Sequence, residues 1–170
     1  MYTGADGTPT FIPRTNVIGP HNFWINNYNP QEAVDNDDSS AYYDTHHNFF
    51  PFSTGGLKND FKGHDNSHHN NMYYNAGGCM GDGTTQSPGH EDSFFNNTCI
   101  MNVDRSYANW AASDKPCMHD NRVFSPKGEA TENGHSIAYW QAQGHDLRTT
   151  AGKIPSDEAV LAMAREVLGM

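Results

Sequence analysis

The chain is short of most things a compact core is built from. Hydrophobic residues make up 35% of its 170, leucine occurs four times, cysteine three, and ten Lys and Arg stand against twenty Asp and Glu. Each shortage excludes something. No run nears the ~18 apolar residues of a membrane-spanning helix, so membrane insertion is not expected. A net charge of −10 leaves too little positive charge to neutralise phosphates, which excludes a nucleic-acid partner. An anionic polymer would also be repelled overall, so an acidic sugar would need a locally placed Lys or a cation. The opening MYTGADGTPTFIPRT has neither a basic nor an apolar stretch and does not read as a signal peptide. Three cysteines fix no compartment. Cys99 and Cys117 could close a loop of about 18 residues, worth roughly 3 kcal/mol if oxidised, with Cys79 left over; buried free thiols are the equal alternative.

What the chain has in quantity is corner chemistry: 16 Gly and 18 Asn, with twenty aromatics spaced through it. The aromatics argue against disorder. A single domain with so thin a core suits a solenoid, whose core is a narrow column and whose corners are polar. A repeat supports this. Val34-Asp35-Asn36-Asp37 returns as Leu57-Lys58-Asn59-Asp60 at an offset of 23, which also carries His46 onto His69 and Asn48-Phe49-Phe50 onto Asn71-Met72-Tyr73. More loosely, Asn followed by large apolar side chains recurs at Asn27, Asn48, Asn71, Asn97 and Asn121, in steps of 21, 23, 26 and 24. Leucine-rich repeats have similar periods, but no L-x-x-L-x-L frame is present. The remaining picture is a coil of short strands with Gly, Asn, Asp and Ser corners, where equivalent Asn side chains stack as a ladder and Asn48 sits beside Asn71.

From about residue 10 to 126 this texture resembles the right-handed parallel β-helix, or pectate-lyase-like, superfamily. The resemblance implies an all-β fold: a right-handed parallel β-helix of about five coils with a C-terminal capping helix. The competing architecture is a β-sandwich with Asn-rich loops. Residues 1–15 read as an irregular lead-in, 16–126 as the β-helix and 127–170 as a cap. Phe23-Trp24-Ile25 reads as a short strand, Val34 to Phe52 as one coil and Leu57 to Tyr74 as the next. Gly81 to Gly89 and Arg105 to Lys115 read as polar excursions, and Val123-Phe124 as the last full rung. Ser136 to Ala142 is apolar enough to pack on the end of the stack. Pro155, Ser156 as N-cap, Asp157, Glu158 and Gly169 predict a helix over 157–168, with Leu161, Ala164, Val167 and Leu168 as its apolar stripe.

The register places Asp37 over Asp60 at about the 4.8 Å strand spacing, with Asp38 adjacent. Carboxylates so close do not both ionise freely, so one pKa is expected to rise and supply a proton donor. Asn36-Asp37-Asp38, Asn59-Asp60 and Gly63-His64-Asp65 look loosely like the acidic and Gly-His motifs of polygalacturonase-type β-helix hydrolases, without the Arg-x-Lys that would mark a uronic-acid substrate. β-Helix lyases pair a calcium with a basic residue. Lys58 or Lys62 would be that base here, and Asp35, Asp37, Asp38 and Asp60 the calcium oxygens. No other cofactor is implied. The catalytic set is therefore Asp37, Asp38, Asp60, Lys58 and His64. The step of 26 puts His64 beneath His90 and Asp65 beneath Glu91, while His46 and His69 share another site. Such columns suit a divalent metal or a general base, although against zinc stands the lack of a tight ligand motif, the His-His doublets pointing to opposite faces of a strand. Asp65, His46, His69, His90 and Tyr42 are the candidate substrate contacts. One ring of Tyr42-Tyr43 and of Tyr73-Tyr74, with Trp24, would face outward to stack on sugars, or would pack beneath the long loops. The plain alternative for each Asp is a corner residue capping backbone N–H groups.

The reading is a secreted, monomeric, carbohydrate-active protein that cleaves a polysaccharide by hydrolysis or elimination. A non-catalytic glycan-binding or adhesion module is the alternative. An ice-binding solenoid is excluded by uneven coils and scattered Thr. Asn96-Asn97-Thr98 is a glycosylation sequon, and the chain reads as the C-terminal part of a longer secreted protein.

Overall fold

A computed structural model describes residues 17–18, 20–24, 31–83, 88–111 and 115–170. Over these the chain winds as a parallel β-solenoid of about five turns. It enters at β1 (Val17–Ile18). The first full turn is β2 (Glu32–Asn36), β3 (Tyr43–His46) and β4 (Phe49–Pro51). The second is β5 (Gly55–Asn59), β6 (Ser67–His69) and β7 (Met72–Ala76), and the third β8 (Met80–Asp82), β9 (Ser93–Phe95) and β10 (Thr98–Met101). The fourth is β11 (Ser106–Trp110), β12 (Cys117–His119) and β13 (Arg122–Ser125). Then follow β14 (Thr131–Glu132), β15 (His135–Ser136), α1 (Ile137–Gln141), β16 (Thr150–Lys153) and α2 (Asp157–Leu168). Sheet I stacks β2, β5, β8, β11 and β14 with β15 antiparallel at its end; sheet II stacks β1, β3, β6, β9 and β12; sheet III stacks β4, β7, β10, β13 and β16. The lead-in 1–15, Ile25 and Asn27 lie outside the described residues.

The offset of 23 is the register of the first two turns: Val34 pairs Leu57, Asn36 pairs Asn59, His46 pairs His69 and Phe49 pairs Met72. What fixes it is the corner between sheets II and III, which is always two residues long. The first adopts a left-handed conformation: φ is 55° at His47 and Asn70, 53° at Asn96, 57° at Asp120 and 63° at Arg148. A left-handed residue turns the chain sharply, and Asn and Asp tolerate it better than most. The second residue turns inward and is buried. Asn48 Oδ1 accepts the Asn22 amide at 2.9 Å, and Asn71 Oδ1 accepts from Asn48 N–H at 3.0 Å and Asn48 Nδ2 at 3.3 Å. Asn97 and Asn121 repeat this, and Thr149 Oγ1 ends the ladder by accepting Asn121 N–H at 2.9 Å. Each amide also reaches back to a carbonyl, as Asn71 Nδ2 does to Thr45 at 2.9 Å. Buried backbone groups are thus satisfied by the neighbouring coil. The described ladder begins at Asn22, so its first step is 26 residues.

The core is a column of inward side chains from all three sheets, including Phe50, Leu57, Tyr73, Phe94, Val123 and Trp110. It is tight enough that a Cβ on Gly56 would meet the Cys79 carbonyl at 2.3 Å. The three cysteines are free thiols: Cys79 and Cys99 lie buried beside each other and Cys117 is exposed on sheet II, so no Cys99–Cys117 bridge forms.

Both predicted excursions carry a strand of sheet I that composition concealed. β8 overlaps the first and β11 the second, because Tyr107, Ala108 and Trp110 point inward between polar neighbours. The stack also continues past Val123-Phe124, since β16 pairs in parallel with β13. α1 packs on the end of the stack as expected, its Ile137 and Trp140 joining the main core. α2 has Ser156 as N-cap and Gly169 as its left-handed stop (φ 71°). It covers sheet III from outside: Val160, Ala164 and Val167 pack on Met72 and Ile100, flanked by Phe49, Tyr74, Phe124 and Met163. The apolar stripe therefore runs through Val160 and Met163, and Leu161 is 57% exposed.

Candidate functional site

The connectors from sheet I to sheet II vary where the opposite corner does not. They span 37–42, 60–66, 83–92 and 111–116, and most of the predicted site residues lie on the first three or beside them. Asn36 pairs Asn59, and Asp60 N–H donates to the Asn36 carbonyl at 2.9 Å, so Asp37 and Asp60 occupy equivalent places on adjacent coils. One carboxylate oxygen from each of Asp37, Asp38 and Asp60 lies within 4.8 Å of the other two. Asp37 and Asp38 are exposed and Asp60 half-buried. Asp37 Oδ1 also accepts the Asp38 amide at 2.9 Å, a turn-capping bond of the kind any solenoid corner uses.

Lys58 completes this group. Its Nζ is 2.8 Å from Asp60 Oδ2 and 3.2 Å from Asp35 Oδ2. Hydrogen bonds to Asp60 and then Asp35 hold the ammonium well above the usual lysine range. Lys58 so held is a fixed positive charge, unsuited to accept a proton. Asp35 turns to Lys58 rather than into the Asp37–Asp38–Asp60 cluster, so the oxygens that converge for a hard cation are those three. Beside them the outer face of sheet I forms a shallow cleft of about 160 Å³, lined by Gly55, Gly78 and Gly81 with Glu32, Lys58 and Arg105. Missing side chains make the floor. Burial raises the Glu32 carboxyl against the opposing pull of Lys58.

The next connector pair brings together His64, Asp65 and His90. Asp65 Oδ2 lies 3.0 Å from His64 Nδ1 and 2.7 Å from His90 Nδ1, and the rings meet nearly at right angles with centroids 6.0 Å apart. Burial pushes the Asp65 carboxyl up, but the two imidazoles outweigh it and leave it below its ordinary range. Asp65 and Glu91 line a small cleft of about 110 Å³ with Tyr43 and Asp44.

The other histidines stand apart from both groups. His46 stacks on His69 at 5.1 Å, His69 on Phe95 at 4.8 Å and Phe95 on His119 at 4.9 Å, one column running up sheet II. Their faces are spent on one another. His69 Nε2 is also 2.9 Å from Asp44, and burial lowers the His46 imidazole. Tyr42 is buried edge-on against His64, and Tyr73 is wholly buried, so neither offers a face to a sugar. Among the described residues the exposed rings are Tyr43, at the 110 Å³ cleft, with Phe23, Trp24, Phe52, Phe61 and Tyr139.

Two groups escaped the sequence. Arg105 lines the sheet I cleft with Lys58, and a wider cleft of about 550 Å³ with Phe52 and Asn102; only the register of β11 on β8 would have found it. At the closed end, Glu132 stands on the rung where earlier coils hold Val34, Leu57, Met80 and Ala108. It is fully buried, 2.9 Å from His145 Nε2. Burial first, then Asp146, pushes its carboxyl up to about 9, while burial lowers His145, so the pair is a neutral acid beside a neutral imidazole. Asp146 is held by Tyr107 Oη and Thr149 Oγ1, each at 2.5 Å. No family model, curated protein or solved structure matches the chain.

Proposed function

We propose that the protein is a secreted carbohydrate-active β-helix of pectate-lyase-like type that lays an extended glycan along the outer face of sheet I and cleaves it at Asp37, Asp38 and Asp60. The observation that carries this is the approach of three carboxylates from adjacent coils to within 4.8 Å, joined through the Asp60–Lys58 ion pair to a glycine-lined cleft. Retaining glycosidases hold their two carboxyl groups about 5–5.5 Å apart and inverting ones about 6.5–9.5 Å, so this spacing favours retention. Asp60, ion-paired to Lys58, serves as the nucleophile, and Asp37 or Asp38 as the proton donor. Arg105 on the lining of the cleft supplies the local positive charge that an acidic sugar needs on a chain of net charge −10, since Lys58 is neutralised by Asp35 and Asp60. With Lys58 held as a cation, hydrolysis is favoured over elimination. Secretion is supported by Asn96, exposed on a two-residue corner where a sequon asparagine is accessible to glycosylation.

A glycan-array screen followed by product analysis tests this. Hydrolysis yields new reducing ends and no near-ultraviolet absorbance, whereas elimination yields an unsaturated, absorbing product. Glycan binding without either product favours the second reading, a non-catalytic glycan-binding module. That reading draws on the Asp35–Lys58–Asp60 chain of ion pairs, which engages one of the three carboxylates structurally. Absence of binding to any glycan sinks both.

A further inference from the structure

We infer that His64, Asp65 and His90 form a binding site for one divalent transition-metal ion of zinc type, tying two coils of the solenoid together. The inference rests on no part of the Asp37–Asp38–Asp60 cluster. His64 and Asp65 are neighbours on one connector, and His90 comes from the equivalent connector of the next coil. Backbone bonding sets their relative height, since Asp65 N–H donates to the His90 carbonyl at 3.2 Å and Asn66 N–H to the Asp92 carboxylate at 2.7 Å. Asp65 is itself in a left-handed conformation, φ 56°, which those bonds hold in place.

The donor set decides the chemistry. Two imidazole nitrogens converge on a single oxygen, His64 Nδ1 at 3.0 Å and His90 Nδ1 at 2.7 Å from Asp65 Oδ2, and all three donor atoms lie within 4.8 Å of one another. Two imidazoles and one carboxylate suit zinc and its first-row neighbours, whereas calcium requires six or more oxygens. A tetrahedral ion with bonds of about 2.0–2.1 Å separates its ligands by about 3.3 Å, so each imidazole nitrogen needs to part from Asp65 Oδ2 by only a few tenths of an ångström. His64 and Asp65 are anchored, with 6% and 13% of their side chains exposed, while His90 at 34% provides the way in and room for water as a fourth ligand.

Equilibrium dialysis of the chelator-stripped full chain against Zn²⁺ alone, read by elemental analysis, tests the site. Wild type should bind one ion per chain, and excess Ca²⁺ should not displace it. Co²⁺ in its place should give the visible ligand-field absorption of a low-coordinate nitrogen–oxygen site. His90→Gln should weaken Zn²⁺ binding by at least about tenfold, the smallest loss usual even for residues that only support a ligand. Because His90 is partly exposed, that variant should keep the wild-type circular dichroism, which makes it the decisive one if buried His64→Gln fails to fold. The paired His46→Gln, His47→Gln variant should bind as wild type. No stoichiometric binding, wild-type affinity in His90→Gln, or loss of the ion in the His46, His47 variant would each overturn the inference.

Discussion

The corner between sheets II and III and the connector between sheets I and II flank the same sheet II strand on each coil, yet they differ in kind. The corner is two residues on every turn, its first residue left-handed and its second a buried Asn or Thr bonded to the coils on either side. The connector runs from six residues (37–42) to ten (83–92) and carries Asp37, Asp38, Asp60, His64, Asp65 and His90. A solenoid needs only one face to keep register. The Asn ladder sets the height of each coil at the corner; on the opposite side Asn36–Asn59 and Asn66–Asp92 bonds also link the coils, but the connector between them varies in length and can hold charge clusters.

That division can be broken at its strongest point. Asn71→Ala removes the acceptor for the Asn48 amide and side chain and the donor to the Thr45 carbonyl. Asn48 Nδ2 keeps the His46 carbonyl as a partner, so two buried groups are left unsatisfied, and at about 1–3 kcal/mol for each a loss of about 2–6 kcal/mol is expected in urea unfolding. A loss below about 1 kcal/mol would show that the ladder does not govern stability.

A second effect, spread over several pH units, sits where the column turns polar. Glu132 is protonated in the folded chain up to about pH 9 and ionised in the unfolded chain above its ordinary 4.5. Its contribution is complete below about 4.5 and is lost as pH rises through about 9, with a slope of at most about 1.4 kcal/mol per pH unit. Glu132→Gln removes that slope, so the variant should gain on wild type between pH 5 and about 9 in thermal unfolding. Parallel pH profiles would mean that Glu132 is ionised in the fold and paired with His145.

On the variable side the effects shrink further. Ten Gly/Ser residues inserted after Gly83 double a ten-residue connector, and by loop-closure entropy should cost only about 0.6 kcal/mol in urea unfolding. The same insertion between Asn70 and Asn71 should abolish the cooperative transition. Equal losses at both places would erase the distinction between corner and connector.

Much of this division is legible in the sequence. The return of Asn48-Phe49-Phe50 as Asn71-Met72-Tyr73 is the ladder itself, because a two-residue corner admits few side chains and repeats them. Ser156, Gly169 and the acidic first turn marked α2 for the same local reason. β8 and β11 were not legible. Met80-Gly81-Asp82 and Ser106 to Trp110 expose Gly, Ser and Asn on a charged face, and strands of three to five residues leave too little alternation to read. The acid cluster and the His64–Asp65–His90 group were legible as columns, since register alone makes them neighbours. Lys58 was recognised, but its grip on both Asp35 and Asp60 depends on side-chain reach across a strand, which register does not encode. Glu132 was missed because a buried carboxyl depends on where the column ends.

Cleavage by wild type and Asp60→Asn, measured side by side as reducing ends on the glycan that binds best, bears most directly on the claim that the connector carries the chemistry. Wild type should release reducing ends, and the variant should lose at least about a hundredfold of that rate. Both should unfold at nearly the same temperature, because Asp60 lies in a partly exposed ion pair and outside the ladder. Equal rates in the two proteins, or an activity loss matched by a large fall in unfolding temperature, would contradict it.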